Sequence, residues 1–128
     1  MKLIPVLSSG LIVLSPMVFS QAAFADGWPT SVVGNWSVNA NNSVGTLSIT
    51  TQSATGNCRP ITGSIFGDRI TQGFYCPFSG RIHFLRQVGN TFQAYTANLS
   101  QNATTLRMGG LFTDFGQPGE YSFFASSD

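Results

Sequence analysis

The chain has 128 residues, of which 42% are hydrophobic and 9% are charged, and its formal net charge is +1. This length suits one domain, and a charge so close to zero provides no field to steer the protein onto nucleic acid or an anionic membrane. The single histidine and two cysteines, with no second ligand at a recognisable spacing, argue against a zinc site.

The first 25 residues have the pattern of an export signal. Lys2 precedes an apolar run from Leu3 to Phe19, and Ala23-Phe24-Ala25 matches a small-x-small cleavage motif. The run falls short of the roughly 20 apolar residues that span a bilayer. We predict that residues 1–25 are a cleaved signal peptide and that residues 26–128 form one exported domain, periplasmic or secreted. An uncleaved membrane anchor is the alternative.

The remaining chain has the pattern of an all-β domain. Apolar residues recur with period two, and Gly, Asn, Ser and Thr interrupt every run of more than about ten residues. Eight sequential antiparallel strands predict a closed up-and-down barrel, and a two-sheet β-sandwich is the alternative because periodicity does not distinguish closure from stacking. The predicted strands are Gly34–Asn39, Val44–Gln52, Arg59–Phe66, Arg69–Phe78, Arg81–Val88, Thr91–Ser100, Thr104–Thr113 and Glu120–Ala125.

Cys58 and Cys76 flank one predicted hairpin, which turns at Gly67-Asp68. We predict a disulfide between them, and a disulfide indicates an oxidising compartment. A symmetric two-residue turn at Gly67-Asp68 would place Cys58 opposite the residue after Cys76. The disulfide therefore requires a β-bulge, for which Gly63 and Gly73 are the candidates.

The first and third strands carry a resemblance to a known family. Gly34-Asn35-Trp36, the Ile61-Thr62-Gly63-Ser64 segment and the order of eight strands resemble the avidin and streptavidin family of calycin-like barrels. The biotin site of that family is not matched, because Val38 and Ile65 stand where it has asparagine and tyrosine, and no tryptophan follows Trp36. The resemblance implies the barrel and leaves the ligand open.

The export signal, the single disulfide and the short segment before Gly-x-Trp also resemble the secreted inhibitors of bacterial metalloproteases. In that family the N-terminal segment enters the protease cleft, and the matching stretch here is Asp26–Thr30. Trp28 and Pro29 are then the partner-binding residues, because proline stiffens an extended segment that presents an aromatic ring. The alternative role of Trp28 is to plug one end of the barrel.

The inventory of reactive side chains favours binding over catalysis. His83 alternates with Ile82 and Phe84 and is predicted to face outward, and no pair of carboxylates has a spacing typical of acid–base chemistry. An enzyme built on a His83–Asp68 pair is the alternative. We predict no enzyme activity, no cofactor and no metal.

Aromatic side chains indicate where a ligand would bind. A narrow eight-stranded barrel can be filled by side chains of this size, and strand glycines at positions 63, 73, 109 and 110 either leave one end open or relieve crowding at the barrel's corners. We predict a small, apolar molecule as the ligand and a secreted protein as the alternative partner. The candidate ligand-binding residues are Trp36, Phe74, Phe84, Phe92 and Tyr95.

Overall fold

The structure is a computed structural model, and it describes residues 24–25 and 27–128. The predicted signal peptide lies outside the described residues except for its last two. No described residue belongs to a helix, so none forms an apolar helix long enough to cross a membrane. Phe24–Ala25 pairs with Trp28–Pro29 as a short antiparallel ladder ahead of the main sheet.

All eight predicted strands are present, each within about three residues of its predicted ends. The residue pattern explains why, since each strand alternates buried apolar positions with exposed polar ones. The strands are β1 (Gly34–Ala40), β2 (Ser43–Gln52), β3 (Arg59–Ile65), β4 (Asp68–Cys76), β5 (Arg81–Val88), β6 (Thr91–Leu99), β7 (Arg107–Asp114) and β8 (Tyr121–Ser127).

The strands form a closed antiparallel barrel in the order β7-β8-β1-β2-β3-β4-β5-β6. Each strand pairs with its neighbour in the chain, and β8 pairs with β1, with Ala125 opposite Val38. This confirms the predicted up-and-down barrel. The β-sandwich alternative is wrong, because the pairing of the last strand with the first leaves no open edge.

Inward-facing side chains fill the middle of the barrel. The Tyr95 ring stacks against Phe84 and Phe112 with centroids 5.0 and 4.9 Å away, and Phe123 meets it edge-on at 5.0 Å. No polar or charged residue is buried in the described part of the chain. Any ligand site must therefore lie at an end of the barrel or on its outer surface. The largest fully buried side chains include Trp36, Tyr75, Tyr95, Phe84, Phe123, Leu47, Ile49, Ile65 and Ile82.

The hairpin between β3 and β4 turns one residue earlier than predicted. Its central residues are Phe66 and Gly67, both with positive φ (52° and 80°), and Ile65 pairs with Asp68. Positive φ at both central positions is the type I′ geometry, whose twist matches the flanking strands. The prediction of Gly67-Asp68 as the turn is therefore wrong.

The predicted bulge is present in the same hairpin. The register shifts between Ile61 and Ser64, and the extra residue lies on β4 at Gln72, whose φ is 50°, directly before Gly73. The shifted register, continued outward, brings Cys58 opposite Cys76. The disulfide between them is formed, with the two Cα atoms 4.0 Å apart.

Candidate functional site

The two ends of the barrel differ in the chain that covers them. At one end lie three turns of two residues, at 41–42, 66–67 and 89–90, and the loop 115–120; we name this the open end. At the other end lie the segment 27–33 and the longer loops 53–58, 77–80 and 100–106; we name this the closed end. Turns of two residues are too short to fold across a barrel, whereas the segment 27–33 reaches over the closed end.

Trp28 and Pro29 form a plug at the closed end. The Trp28 indole N–H donates to the Leu99 carbonyl oxygen at 3.1 Å, and the Tyr75 hydroxyl donates to the carbonyl oxygen of buried Pro29. The Trp28 ring lies against Gly80, where a Cβ atom would be only 2.3 Å from the ring. The absence of a side chain at position 80 therefore gives the Trp28 ring the room to pack there.

Further hydrogen bonds hold the rest of this segment in place. Gln52 donates to the Thr30 carbonyl at 2.8 Å and accepts from the Val32 amide at 3.0 Å, while the Trp36 indole donates to the Val32 carbonyl at 3.0 Å. Burial raises the pKa of Tyr75 far above its ordinary value, so its hydroxyl stays protonated as a donor. The closed end is therefore sealed by side-chain donors bound to main-chain carbonyls.

The open end contains a cavity of about 200 Å³. A cavity of about 150 Å³ is enough to admit benzene, so this one has room for a small ring and a substituent. None of the four glycines predicted to open the barrel lines the cavity. The lining residues are Ala40, Ser43, Phe66, Arg86, Gln93, Tyr95 and Phe112.

A polar network forms one wall of the cavity. Arg86 donates to Asp68 through Nε at 2.9 Å and pairs with the same carboxylate through Nη2 at 2.7 Å. Its Nη1 donates to Gln93 Oε1 at 3.0 Å, and the Tyr95 hydroxyl donates to the same oxygen at 2.9 Å. The guanidinium carbon of Arg86 lies 4.9 Å from the Phe66 ring centroid, a cation–π contact. The network holds the polar and aromatic walls together.

Phe66 is placed by an uncommon backbone conformation. A bulky residue in the left-handed region costs roughly 1–2 kcal/mol, and type I′ turns prefer asparagine at this position. The ring packs on Gly45, where a Cβ atom would lie 2.3 Å from it. Conformational cost at a ligand-sized cavity is a feature typical of functional sites.

The electrostatics of the open end keep the Tyr95 hydroxyl protonated. Burial raises the pKa of Tyr95, the hydrogen bond and the charge of Arg86 lower it, and the charge of Asp114 raises it. Burial is the largest of these influences. A neutral hydroxyl can donate to Gln93, so the network is complete at neutral pH.

The structure separates the five predicted ligand-binding residues. Tyr95 lines the cavity, while Phe84 and Trp36 are fully buried in the core. Phe74 and Phe92 lie on the outer surface, beside the rings of His83 (5.5 Å) and Phe115 (6.0 Å). Only Tyr95 among the five lines the cavity.

Sequence reasoning missed most of the lining. Arg86 shares the inward phase of β5 with Phe84, and Gln93 shares that of β6 with Tyr95, so the period-two pattern contained a signal for both. Phe112 has the same inward phase on β7. Phe66 had no such signal, because it lies in the turn rather than in a strand.

His83 lies on the outer face of β5, as predicted. Its Nδ1 is 3.0 Å from the Thr96 hydroxyl, and partial burial is the main influence that lowers its pKa. Asp68, its partner in the alternative enzyme hypothesis, is bound to Arg86 instead. Within residues 24–25 and 27–128, no three His, Cys, Asp or Glu side chains come together as a metal site would require.

No family model, no curated protein and no solved structure matches this chain. The resemblance to the avidin and streptavidin family stays a prediction, carried by Gly34-Asn35-Trp36 and the Ile61-Thr62-Gly63-Ser64 segment. A function for this chain therefore depends on the geometry of its open end.

Proposed function

We propose that the protein binds a small molecule in the cavity at the open end of the barrel. The observation that carries the proposal is a cavity of about 200 Å³ with aromatic walls and one polar wall. Ligand sites are typically concave and mostly apolar, with a few polar groups that orient the ligand. The opposite end is sealed by the segment 27–33, so a ligand would enter through the open end alone.

Two further features support binding at this end. Phe66 has a left-handed conformation that is unusual for a bulky residue, and its ring lies at the cavity wall. The polar wall is assembled from β4, β5 and β6, whose side chains hold one another in place before any ligand arrives. A site that is formed in advance loses less conformational entropy on binding.

The protein would be exported, and it would bind a small molecule rather than catalyse a reaction. The Cys58–Cys76 disulfide is compatible with an oxidising, exported location. Two of the charged groups at the open end, Arg86 and Asp68, are paired with each other, which suits a fixed scaffold better than proton transfer. No nucleic acid, membrane or cofactor is part of the proposal.

Inhibition of a protease through the N-terminal segment stays a prediction. It requires Trp28 and Pro29 to leave their contacts with Leu99 and Tyr75, or a protease that binds them in place. Deletion of residues 26–32 tests it, because an inhibitor of that kind would lose all inhibition.

Titration with toluene, followed by NMR of the aromatic side chains, tests the proposed function. We expect saturable binding in about the millimolar range, as is usual for a fragment of this size, with the largest shifts at Phe66, Phe112 and Tyr95. The Ala40→Leu variant fills the cavity and should bind at least about tenfold more weakly.

Ala94→Leu is the matched control. Ala94 lies on the outer face of β6, so a leucine at this position adds the same volume outside the cavity. It should bind toluene as the unmodified protein does. Equal loss in both variants, or no saturable binding to the unmodified protein, would count against a site at the open end. Thermal unfolding of both variants confirms that each is folded.

A further inference from the structure

Gln93 lines the cavity, and its side-chain amide has donors that no described residue accepts. Its Oε1 accepts hydrogen bonds from both Arg86 and Tyr95, at 3.0 and 2.9 Å. Arginine has only donors, so the carbonyl oxygen of Gln93 must face it and the amide nitrogen must face away. The two N–H groups on that nitrogen make no hydrogen bond to any residue that the structure describes, and Gln93 lines the cavity.

The charges around this amide do not favour an anion. The Arg86 guanidinium is paired through two of its nitrogens with Asp68. Asp114 stands opposite Gln93 in the pairing of β6 with β7 and acts electrostatically on Tyr95. Two carboxylates and one guanidinium therefore surround the polar wall, so the donors of Gln93 suit a neutral acceptor better than a charged one.

The remaining walls of the cavity are apolar apart from Ser43. The rings of Phe66 and Phe112 and the methyl group of Ala40 surround the space in front of Gln93. Phe66 is held by Arg86 on one side and seated on Gly45 on another. A flat apolar group fits beside these rings, with its polar end toward the amide.

We infer that the ligand is a neutral, flat molecule whose carbonyl oxygen, of the carboxamide type, accepts from the Gln93 amide while its apolar ring lies against Phe66 and Phe112. This rests on the proposed function, since it names the chemical class that the same cavity takes. A hydrogen-bonding site discriminates against ligands that leave its donors unpaired. The inference therefore adds a preference for ligands that carry a neutral acceptor.

Three probes of nearly equal size test the inference on the unmodified protein: toluene, benzamide and benzoate. Dissociation constants from NMR titration at pH 7 should show benzamide binding about tenfold more tightly than either toluene or benzoate. If benzoate or toluene binds as tightly as benzamide, the carboxamide inference is overturned. The proposed ligand site at the open end would still stand in that case. Failure of all three to bind overturns the proposed function and the inference together.

Two glutamine variants provide the second measurement. Gln93→Glu keeps an acceptor for Arg86 and Tyr95 but removes both amide donors, so the preference for benzamide over toluene should disappear while toluene still binds. Gln87→Glu is the matched control, because Gln87 lies on the outer face of the same end of β5, and it should keep the preference. Loss of the preference in both variants, or in neither, overturns the role of Gln93.

Discussion

The two ends of the barrel satisfy their polar side chains in opposite ways. At the closed end, Trp28, Trp36 and Tyr75 each donate to a main-chain carbonyl oxygen. At the open end, the side chains of Arg86 and Gln93 bond to other side chains, and donors remain on Gln93. The chain that folds across the closed end supplies carbonyl acceptors there, whereas the polar residues that line the cavity bond to other side chains.

Both ends also seat an aromatic ring on a glycine. Trp28 lies against Gly80 at the closed end, and Phe66 lies against Gly45 at the open end. The Trp28 ring has its indole N–H bound to Leu99 and completes a seal, while the Phe66 ring borders a cavity. The packing of an aromatic ring against a glycine therefore helps to seal one end and borders a cavity at the other. The two outcomes differ because different chain segments surround the two rings.

Loss of the disulfide at the closed end is the largest expected effect. The double variant Cys58→Ser with Cys76→Ser should lower the free energy of unfolding by about 3 kcal/mol, because a closed loop of this length restricts the unfolded chain. Urea unfolding measures the change. The ligand cavity should remain, since the disulfide lies at the opposite end, and a change below about 1 kcal/mol would contradict the expectation.

Tyr75→Phe breaks the seal without changing the size of the ring. The Pro29 carbonyl oxygen then loses its Tyr75 donor while Pro29 remains buried, so the variant should lose about 2 kcal/mol of stability in urea unfolding.

Tyr95→Phe is the matched change at the open end and should cost about 1 kcal/mol or less. Gln93 Oε1 retains its hydrogen bond from Arg86 in that variant. Equal losses in the two variants would show that the ends do not differ as proposed.

Alkaline unfolding sharpens the same comparison. The pKa values of Tyr75 and Tyr95 are both raised in the folded protein, so the unfolded chain ionises first, near pH 10. Stability should be constant between pH 8 and about pH 10 and then fall as pH rises, by up to about 1.4 kcal/mol per pH unit for each tyrosine. Urea unfolding between pH 8 and 11 measures this, and Tyr75→Phe should show a shallower fall. An unchanged fall in that variant would exclude Tyr75 as a cause.

Phe66→Asn is expected to change stability least and ligand binding most. Asparagine relieves the left-handed conformation, which offsets the lost packing of the ring, so the net change should be within about 1 kcal/mol. Toluene binding should fall at least about tenfold because the aromatic wall is gone. A marked loss of stability with unchanged binding would show that Phe66 serves the fold rather than the site.

Strand positions were predictable because each strand repeats its pattern locally. Trp36 and Val38, or Tyr95 and Ala97, are two residues apart and fall on the same face wherever the strand lies. The disulfide was predictable from the spacing of two cysteines around one hairpin, whereas the counting that required a bulge assumed a turn one residue later than the observed one. The turn lies one residue earlier than the sequence predicts, because Phe66 is an unusual first central residue for a type I′ turn.

The lining of the cavity is only partly predictable from the sequence. Phe74 and Phe92 were chosen as aromatic residues, yet their phases direct them to the outer surface. Arg86 and Gln93 were overlooked because a polar residue on an inward phase is informative only near an open end of the barrel. Which end is open was not visible in the pattern.

Local repetition along the chain was enough to specify eight strands, their order and a covalent link between two of them, because each of these depends on residues close in sequence. The cavity depends on contacts across the fold. Its walls come from five strands and one turn, and the segment 27–33 covers the far end instead, where it hydrogen-bonds to Gln52, Tyr75 and Leu99. Contacts between residues so distant in the chain leave no periodic signal in the sequence. Only the closed barrel decides which of these residues meet.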